Sequence, residues 1–462
     1  MSFRKRSAHN QALNSPNPIR ALGTQAAELT HGVTTNIHYL QLGNPRFEED
    51  VCVPQSMQAA VSARKLGNGY DPHSGIELDR NRMSRIIQRM YETDDNQFIA
   101  EAANVILTNG ATIGVNAVIA ASKTSANDPA GVVLLSKPGY PPYESIVKLH
   151  GLTPEFYKVK AENDCFFTYE SLLESIQSAG AQKVRLLIYN YPHNPCGSMP
   201  DKAQAQQMAM VLTRIHAEFP QIVFLEESLY LGTISGDFPL WCPYSVLNEE
   251  ARDNTALVGS GSKIGLAGPR AGFIYSSDNK LAAMCANYVS LTIAGSGYIP
   301  HAGYMAMLEK LDLHQGQTVQ SGNHPRMQIS GFFQTRINLI AENLNKLCIE
   351  LKIPGPLVEK IPKGGMYLWV DFAPLFQGKP VPLPLHDAVA NGKTLETAQD
   401  LQLALMQMHK LQEEPVVLAP GETFGAEAKS MICRISCVSP EIKHLHSSIR
   451  TISVLARACN QS

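Results

Sequence analysis

The chain has 462 residues, 44% hydrophobic and 17% charged, with a formal net charge of -2. That supplies apolar material for more than one core and gives no long-range field aimed at nucleic acid or an anionic membrane. No apolar run reaches the ~20 residues of a membrane-spanning helix. The nine cysteines form no C-x-x-C pair and none is read as lying at metal spacing from a histidine, so buried thiols in a reducing compartment are expected, and no metal site.

Residues 1–30 are polar, with Arg4, Lys5, Arg6 and Arg20 ahead of the first acidic residue, Glu28. A basic, acid-free start is a feature of organelle leaders. Pro16 and Pro18 should interrupt a helix there, so a flexible terminus on a cytoplasmic protein is expected. Residues 37–45 read as an edge strand running into a turn, and 54–66 have helical spacing. The loop Gly69-Tyr70-Asp71-Pro72-His73-Ser74-Gly75 is made of turn formers and leads to a helix over 78–90.

From about residue 100, short apolar runs alternate with helical segments, the pattern of a parallel sheet. Strands are predicted at 105–107, 132–135, 184–190, 222–226 and 256–259, and each ends in a loop with chemical potential. The first loop, Thr108-Asn109-Gly110-Ala111-Thr112, opens an apolar helix whose N-terminal N–H groups suit an anion. The second carries Tyr140 and Tyr143 among prolines, the third is Tyr191-Pro192-His193-Asn194-Pro195-Cys196-Gly197, and the fourth is Glu226-Glu227-Ser228-Leu229-Tyr230. In the fifth, Lys263 sits among small residues, with Ser260 and Ser262 before it and Arg270 seven places after. Small residues admit a flat ligand close to the backbone. A lysine amine can form an imine with an aldehyde, and an arginine fork fits phosphate. Further on, 203–219 and 332–351 read as helices. A strand follows Gly364-Gly365, and the Pro/Gly/Leu-rich stretch 371–396 reads as an insertion, a lid or a surface loop. Cys433-Arg434-Ile435-Ser436 closes the series.

Ser260-Gly261-Ser262-Lys263 with Gly265-Leu266-Ala267-Gly268-Pro269-Arg270-Ala271-Gly272 resembles the signature of class I/II aminotransferases, pyridoxal 5'-phosphate enzymes of fold type I. Ordered segments across 36–440 resemble the same family. The resemblance implies an α/β protein with a mostly parallel seven-stranded sheet in a large domain, 61–309. The smaller α/β domain would be 310–462, joined by the segment 31–60 after a flexible 1–30. It implies that Lys263 bonds the cofactor's aldehyde, and that Gly110, Ala111, Thr112, Ser260, Ser262 and Arg270 hold its phosphate. Tyr70 would reach that phosphate across the interface of a homodimer. Tyr140 would stack on the ring, Asn194 and Tyr230 would donate to its phenolic oxygen, and Glu227 would face the pyridine nitrogen. Arg434 would pair with the substrate carboxylate, and Gly43 would lie against the substrate. Three departures stand out. Glu227 replaces the usual Asp, leaving Glu226 as an alternative; Cys196 replaces the usual Thr; and Arg270 comes one residue early. The implied activity is ping-pong transfer of an amino group from an L-amino acid to a 2-oxo acid, with Lys263 moving the α-proton. A β/γ-elimination lyase uses the same motifs and is the alternative. A non-catalytic regulator is disfavoured, because the short N-terminus has no room for a DNA-binding module.

Overall fold

Seven short apolar strands build the central sheet: β1 (Val105–Thr108), β2 (Val132–Lys137), β3 (Thr153–Lys158), β4 (Val184–Asn190), β5 (Val223–Glu227), β6 (Thr255–Ser260) and β7 (Gly272–Ser276). This computed structural model describes residues 17–33, 36–45, 47, 62, 71–123, 131–160, 164–294, 298–389, 392–439 and 441–460. The strand order is β1-β7-β6-β5-β4-β2-β3. All neighbours run parallel except β7, which is antiparallel to both β1 and β6.

Successive side chains of a strand point to opposite faces, and here both faces are covered. Ile106, Val133, Leu135, Leu186, Ile188, Val258 and Ile274 pack under the helices Ala111–Ala121, Pro142–Leu149 and Asn279–Ile293. Leu107, Leu134, Leu187, Phe224, Leu257 and Phe273 pack under Glu77–Tyr91, Tyr169–Ala179 and Lys202–Glu218. A sheet buried on both sides explains why its strands read as unbroken apolar runs.

A second, three-stranded antiparallel sheet orders Ala419–Pro420, Ile432–Ser436 and Tyr367–Asp371, with Arg434 opposite Trp369 and Ala419. The long helices Pro325–Glu350 and Ile442–Asn460 pack together. His38–Tyr39 pairs in parallel with Val416–Val417, tying the N-terminal segment to the C-terminal third of the chain.

Two expectations are corrected. The flexible terminus gives way to a helix over Pro18–Leu29, capped by the Asn17 side chain, which accepts from the Ile19 and Arg20 N–H groups at 3.1 and 3.3 Å. Pro18 starts this helix rather than breaking it, because the first helical position has no N–H bond to lose. Ile19, Leu22 and Ala26 bury against Val417, Ala419 and Phe424. The stretch 371–396 is not a loose insertion. Leu375, Phe376, Leu385, Ala388 and Leu395 are buried, Lys379–Pro380 pairs with Thr394–Leu395, and the Asn460 amide donates to the Leu375 carbonyl at 2.9 Å. The helix expected over 54–66 and the candidate Tyr70 lie outside the described residues, apart from residue 62.

Candidate active site

The carboxyl ends of β1, β2, β4, β5 and β6 all deliver residues to one edge of the sheet, the place where open α/β sheets receive ligands. Two clusters form there. In the first, Thr108 of β1 and Ser260 of β6 both stand opposite Gly272 of β7. Ser260 and Ser262 hydroxyls lie 2.8 Å apart, and the Ser260 oxygen accepts from the Ser262 N–H at 3.1 Å. Gly110, at φ +83°, precedes the helix that begins at Ala111. A Cβ on Gly110 would come 2.8 Å from an Arg270 guanidinium nitrogen. Arg270 itself is exposed, as is Thr112 in the first helical turn. Hydroxyls, a guanidinium and free helical N–H groups thus converge on a spot where a side chain other than glycine would intrude. His301 braces the backbone beneath it, with Nε2 at 3.0 Å from the Thr108 carbonyl and 3.1 Å from that of Gly272.

The second cluster surrounds Lys263. Its Nζ donates to the Gly43 carbonyl at 2.5 Å and lies 5.9 Å from the centre of the Tyr230 ring. The Asn194 amide bridges two partners. Its nitrogen donates to the Tyr230 hydroxyl at 3.2 Å, and its oxygen accepts from Arg434 Nη1 at 2.8 Å. Arg434 is 1% exposed; Nη2 donates to the Gln41 carbonyl, while Nε has no partner. The guanidinium is sandwiched by Tyr367 and Phe424, with ring centroids 4.1 and 4.5 Å away. The Tyr367 hydroxyl sits 3.3 Å from that of Tyr230. Burial raises the Tyr367 phenol, but the charges of Lys263 and Arg434 outweigh it and bring it below its ordinary value. Burial, then the neighbouring Tyr367, pushes Tyr230 well up.

Glu226 and Glu227 end β5 and point to opposite faces, as strand geometry requires. Glu227 accepts a hydrogen bond from the Tyr143 hydroxyl. Burial pushes its carboxyl up to about 7, opposed by that bond and by the charge of Lys263. Tyr140 lies edge-on to Tyr143 with centroids 5.2 Å apart, and burial, then Glu227, pushes it up to about 12. Glu226 is sealed on the other side. It accepts from the Tyr244 N–H at 3.0 Å and from the Ser228 hydroxyl at 3.3 Å, and burial also pushes it up to about 7.

The rise at Glu226 fixes a sign for stability against pH. Below the ordinary value of 4.5 the group is neutral in both folded and unfolded chain; as pH climbs through about 7 it must ionise while buried, and stability is lost. The full rise corresponds to about 3 kcal/mol. Glu226→Gln keeps the hydrogen-bonding shape without the titration. Its stability advantage over the parent, followed by urea denaturation, is expected to grow between pH 5 and pH 8; an advantage that stays constant would contradict the account.

A sequence model of the family described as aminotransferase class I and II matches residues 35–449. The chain belongs to the class I and II aminotransferases. It is similar to an Arabidopsis thaliana protein named probable aminotransferase TAT3, 23% identical over 379 residues, or 81% of this chain and 74% of that one. It is 29% identical to human tyrosine aminotransferase over 202 residues, 43% of this chain and 41% of the human one. The solved aspartate aminotransferase of Rhizobium meliloti shares its fold with a TM-score of 0.78 at 21% identity, covering 98% and 99% of the two chains.

This aminotransferase is therefore an enzyme that transfers amino groups. Of the residues singled out in its sequence, Gly43, Asn194, Glu227, Tyr230, Lys263 and Arg434 meet around one centre, with Tyr140 at its margin. Gly110, Ala111, Ser260, Ser262 and Arg270 meet beside it. Two members of the site had no role in the sequence reading. Tyr143 anchors Glu227, and only its nearness to Tyr140 hinted at it. Tyr367 presses so closely on Gly43 that a Cβ there would fall 1.9 Å from its hydroxyl. The Gly364-Gly365 strand that carries Tyr367 was the available signal.

Proposed function

We propose that the enzyme moves an amino group from an L-amino acid to a 2-oxo acid by a ping-pong route that uses pyridoxal 5'-phosphate. The observation that carries this reading is the buried, unpartnered Nε of Arg434, in a guanidinium whose charge acts on the same Tyr367 phenol as those of Lys263 and Glu227. An orphaned guanidinium nitrogen among aromatic rings suits a carboxylate that arrives with the substrate.

The residues fit the cofactor. Lys263 would hold its aldehyde and Glu227 would face its ring nitrogen. The cluster of Gly110, Ala111, Thr112, Ser260, Ser262 and Arg270 would take its phosphate, with Tyr70 added from a second copy of the chain in a homodimer. When bound, the cofactor supplies an electron sink for the substrate's α-carbon. The chain does the rest. Arg434 orients the α-carboxylate, and Asn194 keeps that guanidinium and the Tyr230 hydroxyl in place. Lys263 Nζ takes the α-proton and returns it. Glu227, already near the point of ionisation, would be held as a carboxylate by a cation at the ring nitrogen. Tyr140 would offer its flat face to the ring. The pairing of His38–Tyr39 with Val416–Val417 supports a smaller domain made of 31–60 with 310–462, beside a larger one of 61–309. Six described cysteines are free and buried, which supports the cytoplasm against the one bonded pair, Cys165 and Cys196, and no described helix is long and apolar enough to cross a membrane.

The discriminating experiment gives the loaded enzyme an amino acid and no acceptor. A transaminase releases one 2-oxo acid per active site and stops. Continued release together with ammonia would instead mark an eliminating lyase and overturn the reading. Arg434→Lys tests the carboxylate contact. It keeps the charge but loses the fork, so kcat/KM is expected to fall about 100-fold, roughly 3 kcal/mol, with most of the loss in KM.

A further inference from the structure

Cys165 lies between β3 and the helix Tyr169–Ala179, while His193 and Cys196 belong to the loop after β4. The expectation of buried free thiols does not hold for this pair. The two cysteines, 31 residues apart, are joined as a disulfide with Cα atoms 6.7 Å apart. The His193 ring stands beside them, and one ligand-capable atom from each of the three residues lies within 4.8 Å of the others.

His193 is 2% exposed, and neither Nδ1 nor Nε2 has a hydrogen-bond partner. Its ring contact is Tyr191, with centroids 5.7 Å apart. A disulfide asks nothing of an imidazole. Two ring nitrogens taken out of water with no partner cost free energy, and such groups call for an explanation.

We propose that Cys165, His193 and Cys196 form a zinc-binding site that opens when the disulfide is reduced. Two thiolates and one imidazole are a zinc donor set, with the fourth position left to water or a small thiol. Two thiolates also cancel the charge of Zn2+, so the buried centre carries no net charge among Phe166, Phe167 and Tyr191. A tetrahedral centre needs its ligand atoms about 3.5 Å apart, so the two bonded sulfurs separate on reduction and binding while the imidazole, within 4.8 Å of them, closes on the metal. The chemistry balances with a dithiol as reductant. The disulfide takes two electrons and two protons to give two thiols, the dithiol becomes a disulfide, and zinc then displaces two protons from the thiols. The disulfide pins the loop only at Cys196, whereas zinc would pin it on both sides of Asn194, whose amide holds Tyr230 and Arg434.

The test uses the full-length holoenzyme, reduced with a phosphine, freed of reductant and titrated with Zn2+ against a chromophoric chelator. One zinc per chain is expected in the reduced protein, and none after oxidation with diamide. His193→Ala should weaken binding by more than about 100-fold, and Cys165→Ser should do the same. The oxidised arm needs no substitution, so the comparison holds even where a variant folds poorly. No uptake by the reduced protein, or equal uptake by the oxidised one, would overturn the proposal.

Discussion

Lys263→Ala is expected to lose amino transfer by about 10⁴-fold or more, because in the proposed route one amine is both the cofactor's anchor and the proton carrier. Among the described residues nothing nearby replaces it. Arg434 is committed to Asn194 and the Gln41 carbonyl, and the remaining groups around Gly43 are phenols or a carboxyl. The check has two readouts. Borohydride reduction in the presence of pyridoxal 5'-phosphate should fix one pyridoxyl group per chain in the parent and none in the variant. Single-turnover rates should show the loss in the chemical step. A variant within tenfold of the parent would remove Lys263 from its role.

Glu227→Gln is expected to slow exchange of the substrate's α-hydrogen by about 10²–10³-fold, the usual cost of removing one preorganised electrostatic partner from a buried site. The matched control is Glu226→Gln. Glu226 lies on the far side of the sheet, engaged by Tyr244 and Ser228, so its replacement should change exchange by less than about tenfold, in line with a group outside the reacting region. Equal losses would mean that the face assignment does not govern the chemistry.

Much of this was legible in the sequence because the fold repeats one device. An apolar strand points at the ligand edge, and its following loop carries the functional group, so Asn194, Glu227 and Lys263 could each be placed from a strand and a turn. Period-two geometry separates Glu226 from Glu227 once the end of β5 is fixed; the sequence estimate, 222–226, stopped one residue short of the observed Val223–Glu227. Groups that meet only through tertiary packing stayed hidden. Tyr367 reaches Gly43 across more than three hundred residues, and Tyr143 gains its meaning from a carboxylate on another strand. His193 looked like a loop residue until the chain near Cys165 closed over it. The terminal helix escaped notice for a local reason: Pro18 was treated as a breaker when its position makes it a starter.

That helix has a practical consequence for anyone preparing the enzyme. Its inner side rests on Phe424, and Phe424 in turn is one of the two aromatic plates around the Arg434 guanidinium. Trimming the first thirty residues as dispensable would uncover Phe424 behind the arginine proposed to take the substrate's carboxylate, so a shortened protein should bind amino acids poorly while its central sheet remains intact.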